Sequence, residues 1–411
     1  MNSFVLTCNP AADHTAPYGA EQSAVLAAEQ MRAAAVEIRG WPGYRPTALV
    51  SLPGLAAALG IAALHYKDEG TRFGLGSFKP LGGAYAVFRA VAGKIAEWSG
   101  KAPSSRELLD GASRDLVRKI TVCAATDGNH GRSVAWGART FGCRCVIYIT
   151  ESVTPAREQA IAAYGAEVVR NPGSYDDAVR AVAARAGREG WLLIPDTSDG
   201  AVVDAPRDVM AGYTLMAEEA IAQLPDAEPP THLFLQAGVG GMAAAVCAKF
   251  WQTFASRRPF TICVEPRQCA CWYHSLVAGH PLAVTGEIDS VMAGLACGEV
   301  SLLAWSILRT GADAAMTVED PLALAAMRLL AKAPHGDRPL VGGESGVAGL
   351  AGLLAVAGDQ QARASIGLDH GSRVLLFGTE GDTDAENYNR LVGRSGAEVR
   401  QSAAVFDGES R

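Results

Sequence analysis

The feature that most constrains this chain is an alternation of short β-branched runs with helical patterns between residues 121 and 196. Residues 121–125 read as a strand, residues 132–141 as an amphipathic helix behind a glycine-containing turn, and residues 145–150 as the next strand. A helix begins near Pro155, and residues 166–170, 175–186 and 191–196 continue as strand, helix and strand. Strands separated by helices of this length pair in parallel through right-handed crossovers, which predicts an α/β fold. Later strands at 233–236, 261–265 and 374–377 belong to a second sheet. A chain of 411 residues exceeds one small core. The expected division is a large discontinuous domain, 1–105 with 207–411, and a small α/β domain, 106–206. Both carry open, mostly parallel sheets flanked by helices. The prolines of residues 223–230 mark a surface connection, and the polar tail after Gly393 reads as a fraying end.

Composition enters as a set of exclusions. Hydrophobic residues make up 49% and charged residues 19%, enough apolar material for sizeable cores and not the composition of a disordered chain. A net charge of -7 gives no electrostatic reason to expect a nucleic-acid or membrane partner. No stretch approaches the roughly 20 apolar residues of a membrane span. Residues 1–13 lack a basic region followed by an apolar run, so the expectation is a soluble, cytoplasmic protein. The nine cysteines include C-x-C pairs at Cys143/Cys145 and Cys269/Cys271 rather than the C-x2-C pairs of zinc sites, and no metal is expected. Most read as small buried hydrophobes. A local disulfide among Cys269, Cys271 and Cys297 stays open.

In open α/β sheets ligands bind beyond the carboxyl ends of the strands, and four turns lie at such ends. Gly238-Val239-Gly240-Gly241 follows a strand and precedes a helix, the arrangement in which backbone amides cradle a phosphate. No Gly-Lys-Ser/Thr follows, so it is not a Walker loop, and Ala244 weakens a dinucleotide reading. A plain tight turn is its structural alternative. Lys79 stands in Gly76-Ser77-Phe78-Lys79 with Pro80-Leu81-Gly82-Gly83 behind it, an apolar setting that can desolvate an ammonium as a Schiff-base lysine requires. Thr126-Asp127-Gly128-Asn129-His130-Gly131 brings a carboxylate, an amide and an imidazole to a helix N-terminus. There Asp127 alternatively caps the helix, and His130 alternatively packs in the core. The fourth turn, residues 378–384, carries three carboxylates without metal-ligand spacing and offers the Thr379 hydroxyl.

Taken in this order, the four turns resemble the fold type II pyridoxal-phosphate (PLP) enzymes, the group of threonine and serine dehydratases and the tryptophan synthase β-subunit. Within that group residues 40–392 resemble the diaminopropionate ammonia-lyase family. The likeness is carried by Arg72-Phe73-Gly74-Leu75-Gly76-Ser77-Phe78-Lys79, by Ala125 through Gly131, by Tyr175-Asp176-Asp177-Ala178, by Gly342-Gly343-Glu344-Ser345-Gly346 and by Thr379 through Asp384. Asp127 is the sharpest feature, since the dehydratases usually carry a neutral residue there. The chain departs from the family after Asp196-Thr197, where Ser198-Asp199-Gly200-Ala201-Val202 replaces an aromatic-containing segment, and at Gly378, where Ser is common.

The resemblance implies a PLP cofactor and elimination of ammonia from 2,3-diaminopropionate, ending in pyruvate and two ammonia. It implies catalytic roles for Lys79, Asp127 and Asp196. Phe78, Asn129, Gly238, Val239, Gly240, Gly241 and Thr379 would join Lys79 in holding the cofactor. Thr126, Asp127, Gly128, His130 and Tyr175 would contact the amino-acid substrate, Tyr175 alternatively being a packing residue. A homodimer is the implied assembly. Two other readings remain: a serine/threonine dehydratase or a lyase of another β-substituted amino acid, and a non-catalytic PLP- or nucleotide-binding module.

Overall fold

The computed structural model describes residues 3–126, 128–151, 153–198, 200, 202–225, 228–286 and 288–409, without the side chains of Asp176 and Glu409. Its strands are β1 (Phe4–Cys8), β2 (Leu49–Ser51), β3 (Ala63–Asp68), β4 (Thr121–Ala125), β5 (Arg144–Thr150), β6 (Glu167–Asn171), β7 (Leu192–Leu193), β8 (His232–Gln236), β9 (Phe260–Pro266), β10 (Ala314–Val318) and β11 (Arg373–Gly378). They form a seven-stranded sheet in the order β1-β10-β9-β8-β11-β3-β2 and a four-stranded sheet in the order β6-β5-β4-β7. The smaller sheet is wholly parallel, and the larger departs from parallel only at its edges, β1 and β2. The architecture is therefore α/β, as the alternation predicts.

Burial follows sheet position. Strands β8 and β10 are buried at every residue and β9 and β11 at all but the first, because helices cover both faces of a parallel sheet. The helix Ala348–Ala357, apolar almost all round, packs across β8, β9, β10 and β11. In the smaller sheet β4 is fully buried, whereas the edges β6 and β7 are partly open.

The chain divides into two compact units, Met1–Val25 with Pro46–Ser77 and Met216–Arg411, and Leu26–Arg45 with Phe78–Leu215. Residues 106–206 fall inside the second unit, which also takes the helix Pro80–Ser99 because that helix packs along the helix Asn129–Phe141. Small residues make this packing possible. A Cβ on Gly83 would stand 1.9 Å from Ser133 Oγ, and one on Gly82 would stand 2.4 Å from the Tyr213 ring. The glycines behind Lys79 thus let helices approach.

Two local readings are corrected. The strand expected at 191–196 pairs only at Leu192–Leu193, and the chain leaves the sheet after Ile194 donates to the Cys123 carbonyl. The tail after Gly393 does not fray: Gly396–Glu409 is a helix that buries Val399 and Ala403, and Arg400 reaches Asp382 at 2.8 Å. All nine cysteines are free thiols, six of them buried.

Candidate active site

In the second unit, Lys79 stands at the N-terminus of the helix Pro80–Ser99, where Pro80 fits because the first helical position needs no N–H donor. Its Nζ donates to Asp196 Oδ2 at 2.8 Å, and both side chains keep about one fifth of their surface exposed. The rings of Phe78 and Tyr213 lie 5.6 and 6.0 Å from Nζ and 4.5 Å from each other. The setting is mixed, aromatic on one side and anionic on the other, rather than purely apolar as the sequence suggested. Burial opposes ionisation of Asp196, but the Lys79 ammonium holds its carboxyl well below the ordinary value.

His130 is buried, and its Nε2 lies 2.7 Å from the Ile194 carbonyl. A carbonyl only accepts, so Nε2 carries the proton and Nδ1, 3.9 Å from Asp196 Oδ2, presents a lone pair. Burial pushes the imidazole below its usual pKa against the pull of Asp196, which keeps this tautomer neutral. The early end of β7 is thus functional in form: Ile194 fixes the imidazole, and Asp196 two residues on reaches the lysine.

Thr126, at the end of β4, accepts from the amides of Gly128 and Gly131 at 3.1 and 3.2 Å. The Gly128 amide is therefore committed inside the turn. Asn129 opens the helix Asn129–Phe141 and is half-buried, and Tyr175 opens the helix Tyr175–Glu189 at 36% exposure. Asp127, and Asp199 and Ala201 of the altered segment, lie outside the described residues.

The first unit holds the other two turns. Gly238 to Gly241 joins β8 to the helix Gly241–Phe254. Gly240 takes φ +97°, and a Cβ there would fall 2.1 Å from the Trp272 ring, so only glycine fits. The first amides of the helix have no preceding turn to donate to, and the helix dipole adds partial positive charge. This cradle suits a phosphate.

Beyond β11, Thr379 Oγ1 accepts from Gln236 Nε2 at 2.7 Å, which leaves its own hydrogen free for another acceptor. Gln236 also donates to the Phe377 carbonyl at 2.7 Å. The carboxylates of this turn have structural partners: Glu380 accepts from the Ser345 amide, Asp382 pairs with Arg400, and Asp384 caps the helix Ala385–Val392. Gly378 is fixed by packing, since a Cβ would strike Tyr66 at 2.1 Å.

The structure brings Lys79, Phe78, Asp196 and His130 together and sets Thr379 beside Gln236. Sequence reading missed Tyr213, Gln236, Glu265 and Trp272. Gln236 carried a usable signal, being a polar residue that ends an apolar strand just before a glycine turn. Tyr213, inside the helix Asp204–Gln223, carried none.

An α/β chain with a lysine paired to a carboxylate, and a glycine turn shaped for phosphate, defines a fold type II PLP enzyme. Over residues 40–370 the sequence matches the family of pyridoxal-phosphate dependent enzymes, and the chain belongs to that family. Its cofactor is pyridoxal phosphate. Within the family it is 38% identical over 364 residues to the diaminopropionate ammonia-lyase of Salmonella typhimurium, covering 86% of this chain and 90% of that protein. The crystal structure of diaminopropionate ammonia lyase from Escherichia coli in complex with D-serine matches with a TM-score of 0.85 at 34% identity, covering 95% of this chain and 96% of that one. The same enzyme in complex with an aminoacrylate-PLP azomethine reaction intermediate matches at 0.82 and 34%, covering 95% and 97%.

Glu265, at the end of β9, is fully buried and accepts from the amides of Trp272 and Tyr273 at 3.0 and 2.6 Å. Burial pushes its carboxyl up to about 8 although both amides oppose this. The folded chain therefore keeps a proton that the unfolded chain releases near about 4.3. Its contribution to stability is complete below that value and is lost as pH rises towards 8. Glu265→Gln offers one acceptor oxygen where the two amides use two, so it is expected to unfold below the parent protein at pH 5, and that deficit to shrink or reverse by pH 9 by on the order of a few kcal/mol. A constant difference between the two pH values would contradict the assignment.

Proposed function

We propose that this chain removes ammonia from 2,3-diaminopropionate, giving pyruvate and two ammonia after hydrolysis. The observation that carries this reading is the 2.8 Å pair of Lys79 and Asp196, in which a carboxylate already holds a primary ammonium. With Lys79 engaged by the cofactor, Asp196 would be free to hold the second, cationic amino group of the substrate. Such a charge-assisted bond is roughly twice as strong as a neutral one. A hydroxyl-bearing substrate would leave the carboxylate unpaired. The 38% identity to a named diaminopropionate ammonia-lyase supports the same choice.

Pyridoxal phosphate, when bound, supplies an electron sink for the negative charge that develops at Cα. Lys79 would hold it through Nζ, beside Phe78, and would take the Cα proton from one enantiomer. Asp127, assigned from sequence, would take it from the other. Asn129 would reach the cofactor's 3′ oxygen, the turn Gly238, Val239, Gly240 and Gly241 its phosphate, and Thr379 its ring nitrogen as a donor. Thr126 and the amides opening the Asn129–Phe141 helix would hold the substrate carboxylate, with Gly128 and His130 shaping that turn. His130 offers no proton from Nδ1, so its part is to anchor the Ile194 carbonyl, two residues before Asp196, through Nε2–H. Tyr175 would line the approach. The family likeness supports a homodimer.

Turnover on diaminopropionate, serine and threonine tests the reading. Pyruvate from serine but none from diaminopropionate overturns the substrate assignment. A sharper result comes from Asp196→Asn, expected to lower kcat/KM on diaminopropionate by about 100-fold, or about 2.7 kcal/mol, and on serine by much less. Equal losses on both would show that Asp196 does not recognise the second amino group.

A further inference from the structure

We propose that Trp272 is a positioning residue for the phosphate turn, holding the Gly238 carbonyl back so that the following amide faces the anion. The proposal rests on reading Gly238 to Gly241 as that turn. Trp272 is fully buried at the start of the helix Cys271–Ala278, and its Nε1–H donates to the Gly238 carbonyl at 2.9 Å. Cys271 Sγ makes a longer contact of 3.8 Å to the same oxygen. The next carbonyl, Val239, accepts from the Ser301 amide at 2.9 Å. No peptide here is cis, and in a planar trans peptide the N–H points opposite to the C=O. Tying back these two carbonyls therefore turns the amides of Val239 and Gly240 to the other side of the turn, to join the first amides of the Gly241–Phe254 helix.

Trp272 is itself held, at its backbone and at its ring. Glu265 accepts its backbone amide at 3.0 Å, and Trp305 stacks on its ring at 6.0 Å between centroids. Its ring fills the space that a Cβ on Gly240 would need. Trp272 and Gly240 are thus a matched pair: the glycine makes room for the indole, and the indole sets the direction of the peptide before it. None of the turn's own residues could do this, because their side chains are hydrogen or a valyl group.

The test compares pyridoxal phosphate with pyridoxal, which lacks the phosphate, as ligands of the full chain stripped of cofactor and titrated by cofactor absorbance. The parent protein is expected to prefer the phosphorylated ligand strongly. Trp272→Phe keeps a ring under Gly240 and removes the donor, and should cut that preference about tenfold while pyridoxal affinity holds. Ser301→Pro removes the second donor at a position whose φ of -64° suits proline, and should act in the same direction if the Phe variant fails to fold. A parent protein without preference for the phosphorylated ligand overturns the phosphate reading itself. A parental preference that both variants retain, or an equal weakening of both ligands, overturns only the role given to Trp272.

Discussion

Replacing Lys79 with arginine is expected to yield a folded protein that borohydride cannot link covalently to pyridoxal phosphate and whose turnover falls by about 10⁴-fold. Arginine is the informative replacement because it separates two things the lysine does. A guanidinium can still pair with Asp196, whose carboxylate Lys79 holds at 2.8 Å, so the local charge balance survives. It stays protonated and offers no amine to a carbonyl, so both the covalent attachment and the proton transfer are lost. Lys79→Ala would confound these effects by leaving a largely buried carboxylate without its cation. Mass spectrometry of the reduced protein and single-turnover assays read the two outcomes apart. Turnover within tenfold of the parent would remove Lys79 from the chemistry.

The alternation of strands and helices was legible because parallel strands buried on both faces spell continuous apolar runs. β4, β5, β8, β9 and β11 stand within a residue or so of where the sequence places them. Strand β3 was not legible, and the reason is physical. Its sequence, Ala-Leu-His-Tyr-Lys-Asp, puts Lys67 in a buried position that distant acceptors, the Glu219 carboxylate with the Thr47 carbonyl and Gln223, make tolerable. Strand β10, Ala-Ala-Met-Thr-Val, lacks the β-branched density that marks a strand, and its pairing with β9 and β1 decides it. The tail after Gly393 looked polar because only one stripe of it, including Val399 and Ala403, meets the core.

The site was legible as far as local motifs reach. The lysine, the Gly-Asn-His turn and the glycine turn each announce themselves within a few residues. What the sequence could not reveal is who holds them: Tyr213 beside Lys79, Gln236 donating to Thr379 across 143 positions, Trp272 donating to Gly238. Each of these acts through a long-range contact that has no spacing rule. The same holds for β7, whose short length frees Asp196.

Arg72→Leu is expected to destabilise the protein by about 3–5 kcal/mol, more than any surface change. Arg72 is fully buried and donates to Glu69 at 2.8 Å through both Nε and Nη2, and to Glu219 at 2.8 and 2.7 Å through Nη1 and Nη2. Lys67 completes a group of two cations and two anions, donating to Glu219 at 2.8 Å and to the Thr47 carbonyl at 2.7 Å. The group is neutral as a whole, and that neutrality is what permits its burial. Leucine would leave two carboxylates facing one ammonium without access to water, a net buried charge. The chain then turns through Phe73 at φ 51° and Gly74 at φ 72°, so the network also fixes the entrance to a left-handed turn that a phenylalanine does not adopt unaided. Arg400→Leu serves as the control: it breaks an equally short pair with Asp382, but at a half-exposed arginine, where a loss below about 1 kcal/mol is expected. Denaturant unfolding of the two variants beside the parent decides the matter. Comparable losses would mean that the buried network contributes no more than a surface ion pair, and that its four charges are held by the fold rather than holding it.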